Sequence, residues 1–216
     1  MTAVAVLGLG AMGLPMATRL AERFTVRGFD PNAERSALGA DAGVTAAGSA
    51  REAATGADAV LLAVRNHEQL EDALYGDDGV VGVLTPGALV ILTSTVGIDA
   101  VREVAARLSS EGFHLVDAPI SGGPARAGQG DLLVTVGATD EAYAVAQPIL
   151  DQLAGEYEGR VKIVKIDADQ NPETVTAAGV TSIPTLGFYR NGERVDVLIG
   201  AHPKPVYAAK IEELLA

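Results

Sequence analysis

Residues 3–13 read AVAVLGLGAMG, and the fold turns on how that stretch is parsed. Ala3–Leu7 is a short apolar run bounded by glycine, which suits a strand buried on both faces. Gly8-Leu9-Gly10-Ala11-Met12-Gly13 then leads into a helix whose apolar Met12, Met16 and Leu20 recur every four residues. Pro15 is compatible with that helix because it falls in the first turn, where backbone N–H groups lack intrahelical partners. A second strand, FTVRGFD (24–30), ends at Asp30, 20 residues beyond Gly10. Strand, Gly-x-Gly-x-x-Gly, helix and a distal acid in this order form the dinucleotide fingerprint. Gly8 permits the tight turn, Gly10 lets the backbone approach a pyrophosphate, and Gly13 allows the helix to pack closely on the strand. Leu9, Ala11 and Met12 complete the cradle, where a helix N-terminus offers N–H groups and partial positive charge. Asp30 would accept hydrogen bonds from the adenosine ribose hydroxyls and repel a 2′-phosphate, which favours NAD over NADP.

Further apolar runs extend the pattern: ADAVLLAV (57–64), GALVILTS (87–94), FHLVDAP (113–119) and DLLVTVGA (131–138). Helical stretches alternate with them, most clearly over 98–108, and strand–helix alternation of this kind predicts a parallel, doubly wound α/β sheet. From Thr139 the periodicity is helical. Tyr143, Ala146, Leu150, Leu153 and Tyr157 form one apolar face, with Pro148 inside it. Beyond this come a strand over 160–167, a helix over 171–178, and a hairpin. Its strands, Thr185–Arg190 and Glu193–Ile199, flank Asn191-Gly192, a strong turn signal. A last helix starts near Lys204.

A net charge of −12 over 216 residues argues against a nucleic-acid partner, which requires a basic footprint. No apolar run approaches the roughly 20 residues of a membrane span, and the N-terminus has no basic leader, so a cytosolic setting is expected. The chain has no cysteine, and His67, His114 and His202 are scattered, so neither dithiol chemistry nor a metal site is expected. Residues 1–150 contain nine arginines and no lysine, whereas all four lysines (162, 165, 204, 210) lie in the last third. Two habits of basic-residue use suggest two origins.

Over about residues 1–147 the chain resembles the nucleotide-binding domain of the β-hydroxyacid dehydrogenases, the group of 3-hydroxyisobutyrate and threonate dehydrogenases. AVLGLGAMGLPMA, STV (94–96) and DAPISGGPARAGQGDL carry the likeness. The resemblance implies that Val64, Arg65 and Asn66 line the cofactor and that Thr95 faces the nicotinamide. It also implies that Ser121, Gly122 and Gly123 bind a substrate carboxylate. In that family the proton-transferring lysine lies on a later helix with asparagine four residues on. No lysine here has asparagine at that spacing and no all-helical domain follows, so no catalytic residue is assigned and the chain is expected not to be an enzyme.

The segment from Pro148 to the end resembles the C-terminal half of thioredoxin, including the Ser-Ile-Pro-Thr step at Pro184 and the closing helix KPVYAAKIEELL. The likeness implies a cis Pro184, and the Cys-x-x-Cys unit of that family is missing. The expectation is therefore an engineered chimera of residues 1–147 and 148–216, spliced inside one helix. Its fold would be a three-layer αβα Rossmann-type sheet, mostly parallel, extended by a thioredoxin-like strand and an antiparallel hairpin. It would bind NAD as a monomer without effective catalysis. A residual NAD-dependent hydroxyacid dehydrogenase and a pure structural scaffold are the alternatives.

Overall fold

The structure, a computed structural model, describes residues 2–154, 171–182, 184–190, 192–200, 202 and 204–215. Two compact units divide the chain, residues 1–164 and 165–216.

In the first unit, β1 (Ala3–Leu7), β2 (Thr25–Phe29), β3 (Thr45–Ala46), β4 (Ala59–Leu62), β5 (Leu89–Leu92) and β6 (His114–Asp117) form one parallel sheet in the order β3-β2-β1-β4-β5-β6. This is the α/β Rossmann-type sheet expected. Successive residues point to opposite faces, and both faces are apolar. Val4, Val6, Leu61 and Ile91 enter one core, while Ala5, Leu7, Val60, Leu62, Val90 and Leu92 enter the other. Such continuous apolar strands fit only a sheet covered on both sides.

Helices α1 (Gly13–Ala21), α2 (Ala33–Asp41), α3 (Ala50–Ala54), α4 (His67–Tyr75), α5 (Ile98–Ser110), α6 (Gly123–Gln129) and α7 (Asp140–Leu153) connect and cover the strands. Met16 and Leu20 of α1, with Ala146, Ile149, Leu150 and Leu153 of α7, fill the first core; Leu70, Leu74, Val104 and Leu108 fill the second. Four helix starts are fixed by side-chain caps: Asn32, Ser49, Asn66 and Thr139 accept the N–H of Glu34, Glu52, Gln69 and Ala142. Each such cap stabilises its helix by about 1 kcal/mol.

The reading of 131–138 as one further strand is corrected. Only β8 (Leu133–Val134) forms, pairing antiparallel with β7 (Ile120–Ser121) in a separate two-stranded sheet, and Gly137 bridges Asp117. Pro119, between β6 and β7, has no N–H to donate and interrupts the ladder. The two-residue β3 was too short to leave a signal in the sequence.

Helix α7 runs unbroken through Pro148. An interior proline costs about 3 kcal/mol. The buried Ile149, Leu150 and Leu153 each return roughly 1.5–3 kcal/mol, so packing outweighs the lost hydrogen bond. The C-terminal end of α7 is also tied down. The Leu132 N–H donates to the Leu153 carbonyl (3.0 Å), Arg19 Nε donates to the Gln152 carbonyl (3.3 Å), and Gln152 Nε2 donates to the Arg19 carbonyl (3.0 Å). Leu153→Ala should therefore lower stability by about 2–5 kcal/mol, read as a fall in the urea midpoint.

The second unit contains α8 (Pro172–Ala177), the antiparallel hairpin of β9 (Thr185–Arg190) and β10 (Glu193–Ile199), and α9 (Lys204–Leu215). The hairpin strands have the bounds read from the sequence and form a two-stranded sheet of their own. Gly192 takes φ +86° at the turn. Asn191, the Ile183–Pro184 bond and the strand expected over 160–167 lie outside the described residues.

Lys210 of α9 reaches back to Asp196 of β10 (2.8 Å) and to Glu213 (2.8 Å). Hydrogen bonds from Lys210 and then from the Val197 N–H hold the Asp196 carboxyl below the usual carboxylate range, and Asp196, followed by Glu213, pushes Lys210 up to about 12. The depressed acid contributes above its unfolded pKa and is lost as pH falls through the folded one. The raised amine contributes below 10.5 and is lost as pH rises through about 12. Asp196→Asn should move the Lys210 titration down toward 10.5, measured by NMR of its ε-carbon.

Candidate functional site

Every site residue expected from the sequence lies in the connection that follows the carboxyl end of a parallel strand, with Gly13 opening α1, Ser121 in β7 and Gly123 opening α6. The glycine turn follows β1, Asp30 follows β2, Val64–Asn66 follow β4, Thr95 follows β5, and Ser121–Gly123 follow β6. Strand order reverses between β1 and β4, so the loops flank a topological switch point, where open α/β sheets bind their ligands.

The glycine turn is sterically specified. Gly8 has φ +91°, and a Cβ placed on it would lie 2.5 Å from the Ala63 carbonyl oxygen. A Cβ on Gly13 would lie 1.8 Å from the Gly8 carbonyl oxygen, so only hydrogen lets α1 start this close to β1. A Cβ on Gly10 would meet nothing within 4 Å. Gly10 therefore faces open space, as a backbone that must admit a ligand would. The Leu9 side chain is buried in the first core while Ala11 is exposed. Met12 carries no side-chain cap at the head of α1; the Leu14 N–H donates to the Gly10 carbonyl (3.1 Å) and Pro15 has no N–H, so in the first turn it is the Gly13 N–H that is offered to a ligand or water.

Asp30 accepts the Leu9 N–H (2.8 Å) on one carboxylate oxygen and the Asn32 N–H (2.9 Å) on the other. Beyond β4, Asn66 caps α4 with its carbonyl oxygen, and the Arg65 N–H donates to Gln69 Oε1 (3.0 Å). Thr93 Oγ1 donates to the Leu62 carbonyl (2.9 Å) and Ser94 Oγ to the Val64 carbonyl (2.5 Å), which lash the β5 loop to the β4 loop. Thr95 is left exposed. Gly122, just before α6, and Gly123, its first residue, take φ +143° and +80° beside an exposed Ser121. Sequence reasoning did not anticipate Asn32, Ser36, Thr93 or Ser94, which shape these loops. The Asp-Pro-Asn run at 30–32 could have announced the first, because asparagine there caps its own turn.

Residues 3–165 match the family model described as the NAD binding domain of 6-phosphogluconate dehydrogenase. The chain belongs to that family. It is a family of NAD(P)-binding domains. L-Threonate dehydrogenase of Cupriavidus necator is 36% identical over 154 residues, covering 71% of this chain and 52% of that protein. A solved structure of Mycobacterium tuberculosis 3-hydroxyisobutyrate dehydrogenase with L-serine aligns with a TM-score of 0.69 at 35% identity, over 76% of this chain and 54% of that one. The chain thus spans about half the length of the dehydrogenases it matches. Residues 145–213 also match the thioredoxin family model. Thioredoxin of Synechocystis is 44% identical over 68 residues, 32% of this chain and 64% of that protein.

These relatives overturn the expectation that the chain is not an enzyme: the proteins it matches over residues of the parallel sheet are dehydrogenases by name, and the chain covers about half of each. Among the described residues no helix is long and apolar enough to cross a membrane.

The glycine contacts generate a contrast between two substitutions. Gly13→Ala should unfold or strongly destabilise the chain, since its methyl must displace backbone; Gly10→Ala should leave the melting temperature close to wild type. Circular dichroism melts of the pair test the assignment.

Proposed function

We propose that this chain is the NAD-binding part of an oxidoreductase acting on a small hydroxy acid. The observation that carries the reading is the convergence of five loops astride the β1/β4 switch point, with Gly10 open to solvent and an acid closing the second strand. Backbone N–H groups over Gly10–Met12, after the tethered Leu9 peptide, hold the pyrophosphate, and Asp30 takes the adenosine ribose hydroxyls. The negative charge of Asp30 opposes a 2′-phosphate, so NAD is preferred over NADP. Val64, Arg65 and Asn66 line the cofactor and Thr95 faces the nicotinamide. The Ser121 hydroxyl and the Gly122 and Gly123 N–H groups receive the substrate carboxylate. Bound there, the cofactor supplies a hydride acceptor.

The chain acts in this reading as a cytosolic monomer. The overlap of its two family matches over residues 145–165 supports a junction of two parents at 145–165, and an engineered chimera is the reading proposed.

Thermal unfolding with NAD tests the proposal. At 100-fold excess over Kd, NAD should add about 2.7 kcal/mol of stability, and NADP less at the same concentration. Gly10→Asp keeps the fold and loses the gain. NADH formation from threonate or 3-hydroxyisobutyrate, followed at its absorbance and abolished in Gly10→Asp, reads the chemistry. No stabilisation at millimolar NAD rejects the reading.

A further inference from the structure

The proposed function gives Asp30 one task, contact with a ribose. Its hydrogen bonds in the structure give it another. One carboxylate oxygen accepts the Leu9 N–H, 21 residues away in sequence, at 2.8 Å. The other accepts the Asn32 N–H at 2.9 Å. Asn32 in turn caps α2 by accepting the Glu34 N–H at 2.9 Å. The Asp30 backbone is closed onto the same turn, because Ser36 Oγ lies 3.3 Å from its N and donates to its carbonyl at 3.2 Å. A single side chain therefore joins the glycine loop to the first turn of α2.

Leu9 sits at the centre of this arrangement. Its side chain is fully buried, packed where Gly28 and Gly39 leave room, and the preceding Gly8 N–H donates to the Phe29 carbonyl at 2.9 Å. The buried side chain fixes where the loop is anchored, and the carboxylate fixes how the Leu9 peptide is turned. Without that acceptor, a partly buried N–H loses its partner, and the peptides after it lose the reference that aims them at a ligand. An ionised carboxylate has about four acceptor positions. Two are used by backbone N–H groups, one on each oxygen, which leaves a position on each for a diol.

We propose that Asp30 is a positioning residue for the pyrophosphate cradle as well as a ribose ligand: its carboxylate holds the Leu9 peptide so that the following N–H groups face the phosphates. The ligand half of this inference rests on the proposed NAD site; the tether itself does not. Exchanging the acid to admit a 2′-phosphate should then damage the cradle for both cofactors.

The test uses the whole chain with Asp30→Ala and Asp30→Asn. In the absence of ligand, the Leu9 amide should exchange with solvent about 10-fold faster or more in Asp30→Ala, while Val90 in β5 is unchanged. With ligand, affinity is measured for NAD and for an NAD analogue whose adenosine ribose lacks both hydroxyls. A positioning role predicts that Asp30→Ala loses about 10-fold or more even for the analogue, the loss expected for a hydrogen bond to a charged acceptor. Asp30→Asn, which retains one acceptor oxygen, should fall between and carries both measurements should the alanine variant not fold. Equal binding of the analogue by wild type and variant, or unchanged exchange at Leu9, overturns the inference. Faster exchange in a protein whose wild type binds neither dinucleotide would uphold the tether and sink the NAD site, so the two failures are distinguishable.

Discussion

Helix α1 starts almost in contact with the strand that precedes it, and the unit built around it depends on that approach. Gly13 faces the carbonyl oxygen of Gly8 at a separation where a methyl group could not exist. The closeness has three consequences. It brings Met16 and Leu20 down into the core beneath β1 and β4. It sets the head of α1 at the carboxyl end of β1. It also forces the turn to run through Gly8 with a positive φ, pressed against Ala63 of the neighbouring loop. Packing and exposed N–H groups are thus two results of one steric condition, and substitutions that disturb the first disturb the second.

The same core explains how residues matched by two families can share a helix. The thioredoxin match begins at residue 145, yet Ala146, Ile149, Leu150 and Leu153 belong to the core cluster of the parallel sheet. A helix over a parallel sheet needs an apolar stripe at three- and four-residue spacing, and that requirement is common to doubly wound folds. Either parent can supply it. Side chains of the right size at the right spacing suffice to fill the space, and the Arg19–Gln152 pair of hydrogen bonds joins α1 to α7 across residues from both matches.

How legible this was in the sequence depended on the range of the determining interaction. β1, the glycine turn and the hairpin strands could be read to the residue because each is specified by its own neighbours: apolar runs, glycines and a turn dipeptide. The six-stranded order could not be read directly, but strand–helix alternation and right-handed crossovers leave few choices. The segment over 131–138 misled because its composition suits a strand, while its pairing depends on Asp117, Ile120 and Ser121 across a loop. The candidate site residues could be named from the sequence as proposals, and the hydroxyls of Thr93 and Ser94 could not, since their role is to bind carbonyls about 30 residues away. The enzymatic inference failed for a different reason. It took a missing lysine pattern as decisive, whereas the relatives over the same residues are dehydrogenases by name.

Net charge adds a last constraint. A chain of charge −12 repels anions at a distance, but screening confines that repulsion to about 8 Å at physiological salt. Inside that range the local field decides, and at the carboxyl end of β1 it comes from the N-terminus of α1, whose partial charge is largest within the first turn. Asp30 then belongs to the design instead of opposing it. Its charge is spent on the Leu9 and Asn32 N–H groups, so the carboxylate closest to the cradle is itself compensated by backbone donors. A pyrophosphate seated on the glycine turn would face donors directly, while a phosphate placed beyond Asp30 would face the carboxylate. Affinity for one anion and rejection of another can therefore arise a few ångströms apart on an acidic protein.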